Sequence, residues 1–217
     1  MAASVLRSWG TPLVLSLIVL QAFCIRIFSV VKYESVIHEF DPYFNYRTTE
    51  RLVEEGLDSF WNWFDDRTWH PIGRVVGGTL YPALMLTGGG FHAAAAAVGL
   101  PLSVRNACVY LAPAFAGLTA LSTFGFAKEV SHREGAALLA AAFVGVVPSY
   151  ISRSCGGSYD NEGVAIFALV TVFRFYARSL NSGSVAAAVK LSLCYLYMVA
   201  AWGGCKGCIL RLMLPVG

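Results

Sequence analysis

From residue 106 to residue 127 the chain carries no charged side chain, and the same is true from 135 to 152. A run of that length with no polar face cannot sit on the surface of a soluble domain. It matches a bilayer, whose hydrocarbon core of about 30 Å takes about 20 apolar residues per helix. Residues 11–31, 163–180 and 184–204 are nearly as bare, broken only by Arg26, Arg174, Arg178 and Lys190. Charged residues make up 13% of the sequence and hydrophobic ones 57%, with a mean hydropathy of +0.61. Soluble proteins carry about 25% charged residues, and disordered chains lack this apolar content. A net charge of +3, with no basic run, gives nucleic acid nothing to hold. The fold class is all-α, a multi-pass membrane protein with about five transmembrane helices.

The first run is too long for a signal-peptide core and lacks a small-residue cleavage site, so it reads as a retained anchor. Arg26 lies near its far end, where snorkelling to the interface is expected. The hinge Lys128–Glu134 and the turn Asn181-Ser-Gly183 separate later helices, and Arg174, Arg178 and Lys190 all lie toward that turn. The last four runs are rich in Ala, Gly and Ser, which let membrane helices approach closely. Residues 75–100 are apolar but interrupted by Gly77, Gly78, Pro82, Gly88, Gly89, Gly90 and His92. If this segment does not span and the N-terminus is inside, then Arg7, Lys128, Arg133, Arg174, Arg178 and Lys190 all face the cytoplasm, as the positive-inside rule favours. It therefore reads as a surface or re-entrant element. Cys24, Cys108 and Cys194 sit in apolar runs as small hydrophobes. Cys205 and Cys208 form a lone CxxC, a poor zinc signal without further ligands.

Nine of the thirteen acids fall between Glu34 and Asp66, which directs attention to where acids meet the membrane edge. Glu39 and Asp41 follow the first span; Asp160 and Glu162 precede the fourth. Asp-Pro favours a turn, so Asp41 is expected on a bent loop rather than a regular helix. Acids at the rim of hydrocarbon are costly unless paired or metal-bound, and hard carboxylates suit Mg²⁺ or Mn²⁺. The bland readings stand beside this one. Glu39 and Asp41 fit solvated loop acids, Asp160 and Glu162 fit a helix cap and a first-turn acid, and Arg153 fits an interfacial anchor or ion-pair partner. With residues 75–100 not spanning, both acidic clusters emerge on one membrane face and can share an ion.

At these residues the chain resembles the catalytic subunit family of eukaryotic oligosaccharyltransferase, from about residue 27 to 204. The resemblance rests on Tyr-Glu-Ser-Val-Ile-His-Glu-Phe-Asp-Pro-Tyr-Phe-Asn-Tyr-Arg-Thr-Thr (33–49), Trp-His-Pro-Ile-Gly-Arg (69–74), Gly-Gly-Thr-Leu-Tyr-Pro (77–82), Ile-Ser-Arg-Ser (151–154) and Gly-Ser-Tyr-Asp-Asn-Glu-Gly (157–163). It implies a GT-C-like membrane region and two DxD-type motifs, Glu39–Asp41 and Asp160–Glu162. Asp41 looks like the carboxylate that binds metal and contacts the acceptor amide. Asp160 and Glu162 look like further ligands of Mn²⁺ or Mg²⁺, Arg153 like an arginine needed for activity, and Trp202 like a donor-side residue. Tyr43, Asn45 and Arg47 match the motif's flank and receive no chemistry.

The implied reaction is transfer of an oligosaccharide from dolichyl diphosphate to asparagine in Asn-x-Ser/Thr, in the endoplasmic reticulum membrane, with other transferase subunits as possible partners. The expected organisation is a cytoplasmic tail and first span (1–31), a long lumenal loop (32–105), four spans (106–204) and an atypical tail (205–217). That tail lacks the resemblance, and the family's Trp-Trp-Asp-Tyr-Gly domain has no match, so an incomplete, inactive copy is expected. Two competing readings remain: another dolichol-dependent GT-C glycosyltransferase, and a non-catalytic membrane subunit or transporter. The long motif strings oppose the first. The acids, which flank the spans instead of sitting mid-helix, oppose the second.

Overall fold

The computed structural model describes residues 2–204, with side chains from residue 10 onward; Cys205, Cys208 and the rest of the tail lie outside the described residues. The order is α1 (Ala2–Tyr33), α2 (Phe40–Asn62), β1 (Phe64–Asp65), β2 (Arg74–Val75), α3 (Ala83–Ala97), α4 (Val104–Ser131), α5 (Glu134–Val146), α6 (Pro148–Ile151), α7 (Asn161–Ser182) and α8 (Val185–Ala201). The fold is nearly all-helical, with one two-stranded antiparallel ribbon, β1–β2.

Among the described residues three helices are long and apolar enough to cross a membrane: 10–33 of α1, α4 and α7. Five such runs were expected, and the two shortfalls have local causes. Residues 135–152 break at Val147, whose extended backbone precedes Pro148, so α5 stops and the short α6 restarts with proline at its first turn. The last run yields the 17-residue α8, which stops at Trp202. α3, at 15 residues, extends about 22 Å, short of a bilayer core.

α4 is the central post, touching α1, α2, α3, α5 and α7. Small buried residues on it, including Ala112, Ala116, Gly117 and Ala120, permit this crowding. Hydrogen bonds between helices add specificity: Ser122 with Thr171 at 2.8 Å and Thr119 with Tyr150 at 2.8 Å. The C-caps are legible in the residues. Gly183 takes the left-handed conformation that ends α7 at the expected turn, and His132 does the same for α4.

Two ends of the bundle differ in charge. At one, Lys128 pairs with Glu134 (2.7 Å), Arg178 with Glu129 (3.9 Å), and Thr11 of α1 donates to Glu134 (3.1 Å). At the other, the end of α1 meets the starts of α4 and α7, with Ser35 donating to Asn106 at 2.6 Å. Because α7 and α8 form a hairpin, Trp202 returns to this second, acidic end.

Arg26 departs from expectation. It does not reach an interface; it is fully buried. Its Nε donates to Ser154 Oγ (2.7 Å), its Nη1 to the Ala22 and Gly145 carbonyls (2.8 Å each), and its guanidinium lies 4.7 Å from the Tyr150 ring centre. None of these partners is a carboxylate, and Nη2 has no hydrogen-bond partner. Position along a helix sets depth, but the facing direction decides whether an arginine meets lipid or protein. Arg26 faces α5 and the loop beyond it.

Candidate active site

The first acidic motif lies at the start of α2, which corrects the expectation of a loop for Asp41. Glu39 is the N-cap residue and Asp41 lies in the first turn. Pro42 is tolerated there because first-turn amides have no intrahelical partner to lose. Glu39 holds φ 68°, a left-handed value that costs a non-glycine residue about 1–3 kcal/mol. Trp69, at φ 56°, shares this strain. Asp41 and Trp69 line one cavity of about 520 Å³ with Phe40, Phe44, Thr68 and Arg74. Arg74 lies 5.1 Å from the Phe44 ring centre, while its Nε donates to Thr79 at 2.6 Å.

The loop that shapes this cavity hangs on Asp65, which is fully buried. It takes two contacts of 3.1 Å from Arg47, one of 3.1 Å from the Arg67 amide, and a hydrogen bond from Thr68. Arg47 and Arg51 both stack over Trp63. Arg47, given no chemistry by sequence, thus ties α2 to the ribbon.

The second motif enters α7. Asp160 is its N-cap, accepting from the Asn161 amide at 2.6 Å. Burial pushes its carboxyl above the ordinary value; Asp41 and Glu39 raise it further, and Arg153 opposes them. The two motifs therefore lie in one electrostatic field. Glu162 Oε2 is 3.2 Å from Arg153 Nε without hydrogen-bond alignment. The capping and ion-pair readings of Asp160 and Arg153 are both realised, and they coexist with this acidic convergence.

Backbone contacts hold the motifs together. The His38 amide donates to the Gly157 carbonyl at 3.1 Å, and the Gly156 amide to the Arg26 carbonyl at 2.9 Å. Gly157 has φ 94°, and a Cβ there would lie 2.2 Å from the Val36 carbonyl oxygen, so only glycine fits.

Tyr159, which sequence reading passed over, is the hidden fastener beside Asp160. It is 1% exposed. Its hydroxyl meets Thr49 Oγ1 at 2.9 Å and donates to the Leu84 carbonyl at 3.1 Å; its own carbonyl accepts from Asn45 Nδ2 at 3.1 Å. The signal available in sequence was a lone tyrosine between Gly-Ser and Asp-Asn, too small to separate from the motif.

The donor set suits a hard divalent cation in kind. Asn161 Oδ1 and Glu162 Oε2 are buried oxygens without hydrogen bonds, next to the desolvated Asp160. Asp41, Asp160 and Glu162 are not, however, drawn into a closed ligand group: among the described residues no three His, Cys, Asp or Glu side chains are placed to hold a metal ion. Trp202 packs at the end of α8 against the cluster of Ala83, Ala165, Ala168, Val172 and Met198.

Residues 11–216 match the family profile described as oligosaccharyl transferase STT3, N-terminal. The chain belongs to this family. The match runs into the tail that sequence reading set apart. Among curated relatives, the glycosyltransferase subunit STT3 of Dictyostelium discoideum is 53% identical over 192 residues, 88% of this chain and 27% of that protein. Subunit STT3A of Oryza sativa is 55% identical over 190 residues, 88% of this chain and 24% of its own length. Both are named as dolichyl-diphosphooligosaccharide–protein glycosyltransferases. The chain thus spans about a quarter of the curated relatives it matches.

The fold matches the oligosaccharyltransferase of Archaeoglobus fulgidus. The apo form superposes with a TM-score of 0.76 at 23% identity, covering 91% of this chain and 25% of that one. A complex of the same archaeal enzyme with an inhibitory peptide and a dolichol-phosphate gives 0.75 at 20% identity, covering 92% and 24%. A further complex holds Zn and sulfate, with a TM-score of 0.73, 22% identity and coverages of 88% and 25%. These matches establish a GT-C membrane fold for the chain.

Proposed function

We propose that this chain forms the N-terminal membrane part of an STT3-type catalytic subunit. That enzyme transfers an oligosaccharide from dolichyl diphosphate to the asparagine of Asn-x-Ser/Thr acceptors in the endoplasmic reticulum. The observation that carries the reading is the meeting of both acidic motifs at one end of the bundle, tied by the His38–Gly157 hydrogen bond within one charge field.

The geometry supports a division of labour. Asp41, at the rim of the aromatic cavity, accepts a hydrogen bond from the acceptor amide and so orients its nitrogen. Arg153 holds Glu162 and keeps positive charge beside the position where leaving-group charge develops. Asp41, Asp160 and Glu162 would hold Mn²⁺ or Mg²⁺, which when bound stabilises the departing diphosphate. Trp202 offers its ring at the same end for the donor. In the membrane, we place the basic end in the cytoplasm and residues 32–105 in the lumen, with α1, α4, α5–α6, α7 and α8 as the crossings.

The test separates charge from capping. A chimera of the Saccharomyces cerevisiae STT3 subunit, 53% identical over 180 residues, would carry this chain's matching segment. Asp160→Asn keeps a good N-cap but removes the charge. In cells depleted of their own subunit, the chimera should glycosylate a single-sequon reporter, and Asp160→Asn should lower transfer at least tenfold and shift the Mn²⁺ titration upward. Activity and metal titration both at the unsubstituted level would return Asp160 to capping alone.

A further inference from the structure

At the basic end, α4 and α7 form a polar cavity of about 480 Å³, lined by Phe124, Gly125, Lys128, Glu129, His132, Arg174 and Arg178. Three cationic side chains face one acid. Glu134 against Lys128 adds a second acid, and the two helix C-termini add about one further unit of negative charge, so what distinguishes the cavity is a single arginine without an acidic partner. Lys128 and Arg178 each have an acid nearby, Glu134 at 2.7 Å and Glu129 at 3.9 Å. Arg174 has none. Its buried Nε has no hydrogen-bond partner, and its guanidinium presses on α4 at Gly125, where a Cβ would lie 2.3 Å from that nitrogen. Gly125 thus makes room for an arginine that, among the described residues, forms no salt bridge and leaves its Nε unused.

We propose that this cavity binds the phosphate of an anionic membrane lipid, with Arg174 and Arg178 as its main ligands. The depth of the site favours a lipid over a soluble ion. Arg174 precedes the end of α7 by eight residues, about 12 Å along the helix, so the cavity reaches from the tip of the bundle, at Lys128 and His132, down to that depth. A lipid headgroup lies at that depth already, and Phe124 supplies an apolar wall for the glycerol and upper acyl carbons. Basic pockets between membrane helices on the cytoplasmic side are a recurrent headgroup site. This assignment does not depend on the proposed reaction.

The full 217-residue chain, purified in detergent, is titrated with phosphatidylinositol or phosphatidylcholine, and bound lipid is counted by native mass spectrometry. One retained phosphatidylinositol, with phosphatidylcholine at least tenfold weaker, is expected. Arg174→Gln with Arg178→Gln should weaken retention about tenfold or more, while Arg174→Lys with Arg178→Lys keeps most of it. Lys190→Gln removes one charge from the exposed start of α8 without touching the cavity and serves as the control. Two results overturn the proposal: equal retention of both lipids by the unsubstituted chain, or a loss with Lys190→Gln as large as that with the arginine pair. Displacement by low-millimolar glycerol 3-phosphate overturns the lipid assignment, because it makes a soluble phosphate ester the occupant. Equal retention in the unsubstituted chain is read without any variant, so misfolded variants cannot rescue the proposal.

Discussion

Of the three consecutive glycines in α3, Gly88 and Gly90 should respond to alanine in opposite ways. An added Cβ at Gly90 meets nothing within 4 Å, so Gly90→Ala should stabilise by about 1 kcal/mol through helix propensity alone. At Gly88 the same Cβ would lie 2.2 Å from Tyr159 Oη, 3.1 Å from Cζ and 3.4 Å from Thr49 Cγ2. Tyr159 has nowhere to go, being buried and held at Thr49 and Leu84. Overpacking costs about 1–3 kcal/mol, and disturbing two hydrogen bonds about 1 kcal/mol each. Against a propensity gain of about 1 kcal/mol, the net loss is about 2–4 kcal/mol. For a chain of this size each kcal/mol moves the midpoint by about 2–4 °C. Thermal unfolding in detergent, followed by tryptophan fluorescence at one scan rate, should show Gly88→Ala lower by about 5–15 °C and Gly90→Ala slightly higher. Removing the hydroxyl with Tyr159→Phe should absorb part of the clash, giving a coupling of about 1 kcal/mol or more in the double variant. If Gly88→Ala raises the midpoint as Gly90→Ala does, or the double variant is additive, the close approach of α3 to Tyr159 is wrong.

Asp65 sets a pH dependence. Burial pushes its carboxyl up, but hydrogen bonds from Thr68, the Arg67 amide and Arg47 outweigh this and leave it below 3.8. A depressed pKa contributes stability that is full above the unfolded value and lost as pH falls through the folded one. Asp65→Asn should therefore cost about 1–3 kcal/mol at pH 7, with the gap to the unsubstituted chain shrinking as pH falls below about 4; a gap that stays constant, or widens, as the pH is lowered would contradict this. Arg26→Lys keeps the charge but cannot reproduce the fork that reaches Ser154 and two carbonyls. Amide exchange across residues 152–158 should quicken more than tenfold, and unchanged protection would show that Arg26 does not hold that loop.

Hydropathy located the helices well because bilayer length and charge-free runs are one-dimensional properties. The α7–α8 turn was legible in Asn181-Ser-Gly183, since glycine at a helix end has a specific backbone role. α2 was not. Its residues, such as Glu50, Arg51, Glu54 and Glu55, are polar, and it gains its place by burying Thr48, Thr49 and Phe60 against elements far along the chain. Both acidic motifs were visible as strings, but their connection was not: Tyr159 reaches Thr49 and Leu84, which lie 110 and 75 residues away. Arg26 failed for a related reason. Apart from the Ala22 carbonyl, its partners lie on residues 145–156, and a reading of α1 alone has no access to them.

Those partners have a consequence for synthesis. Arg26 is made first, and the groups that solvate it, Gly145 and Ser154, follow 119 and 128 residues later. At about 5–20 residues per second, α1 waits on the order of 6–25 s with a guanidinium that has only the Ala22 carbonyl of its own helix. An arginine at a helix centre costs about 2.5–3.5 kcal/mol in the bilayer and less toward the end, where Arg26 lies, so α1 carries a cost below that figure during the interval. Arg26 makes the final seating of the first helix wait for the fifth and sixth to be translated.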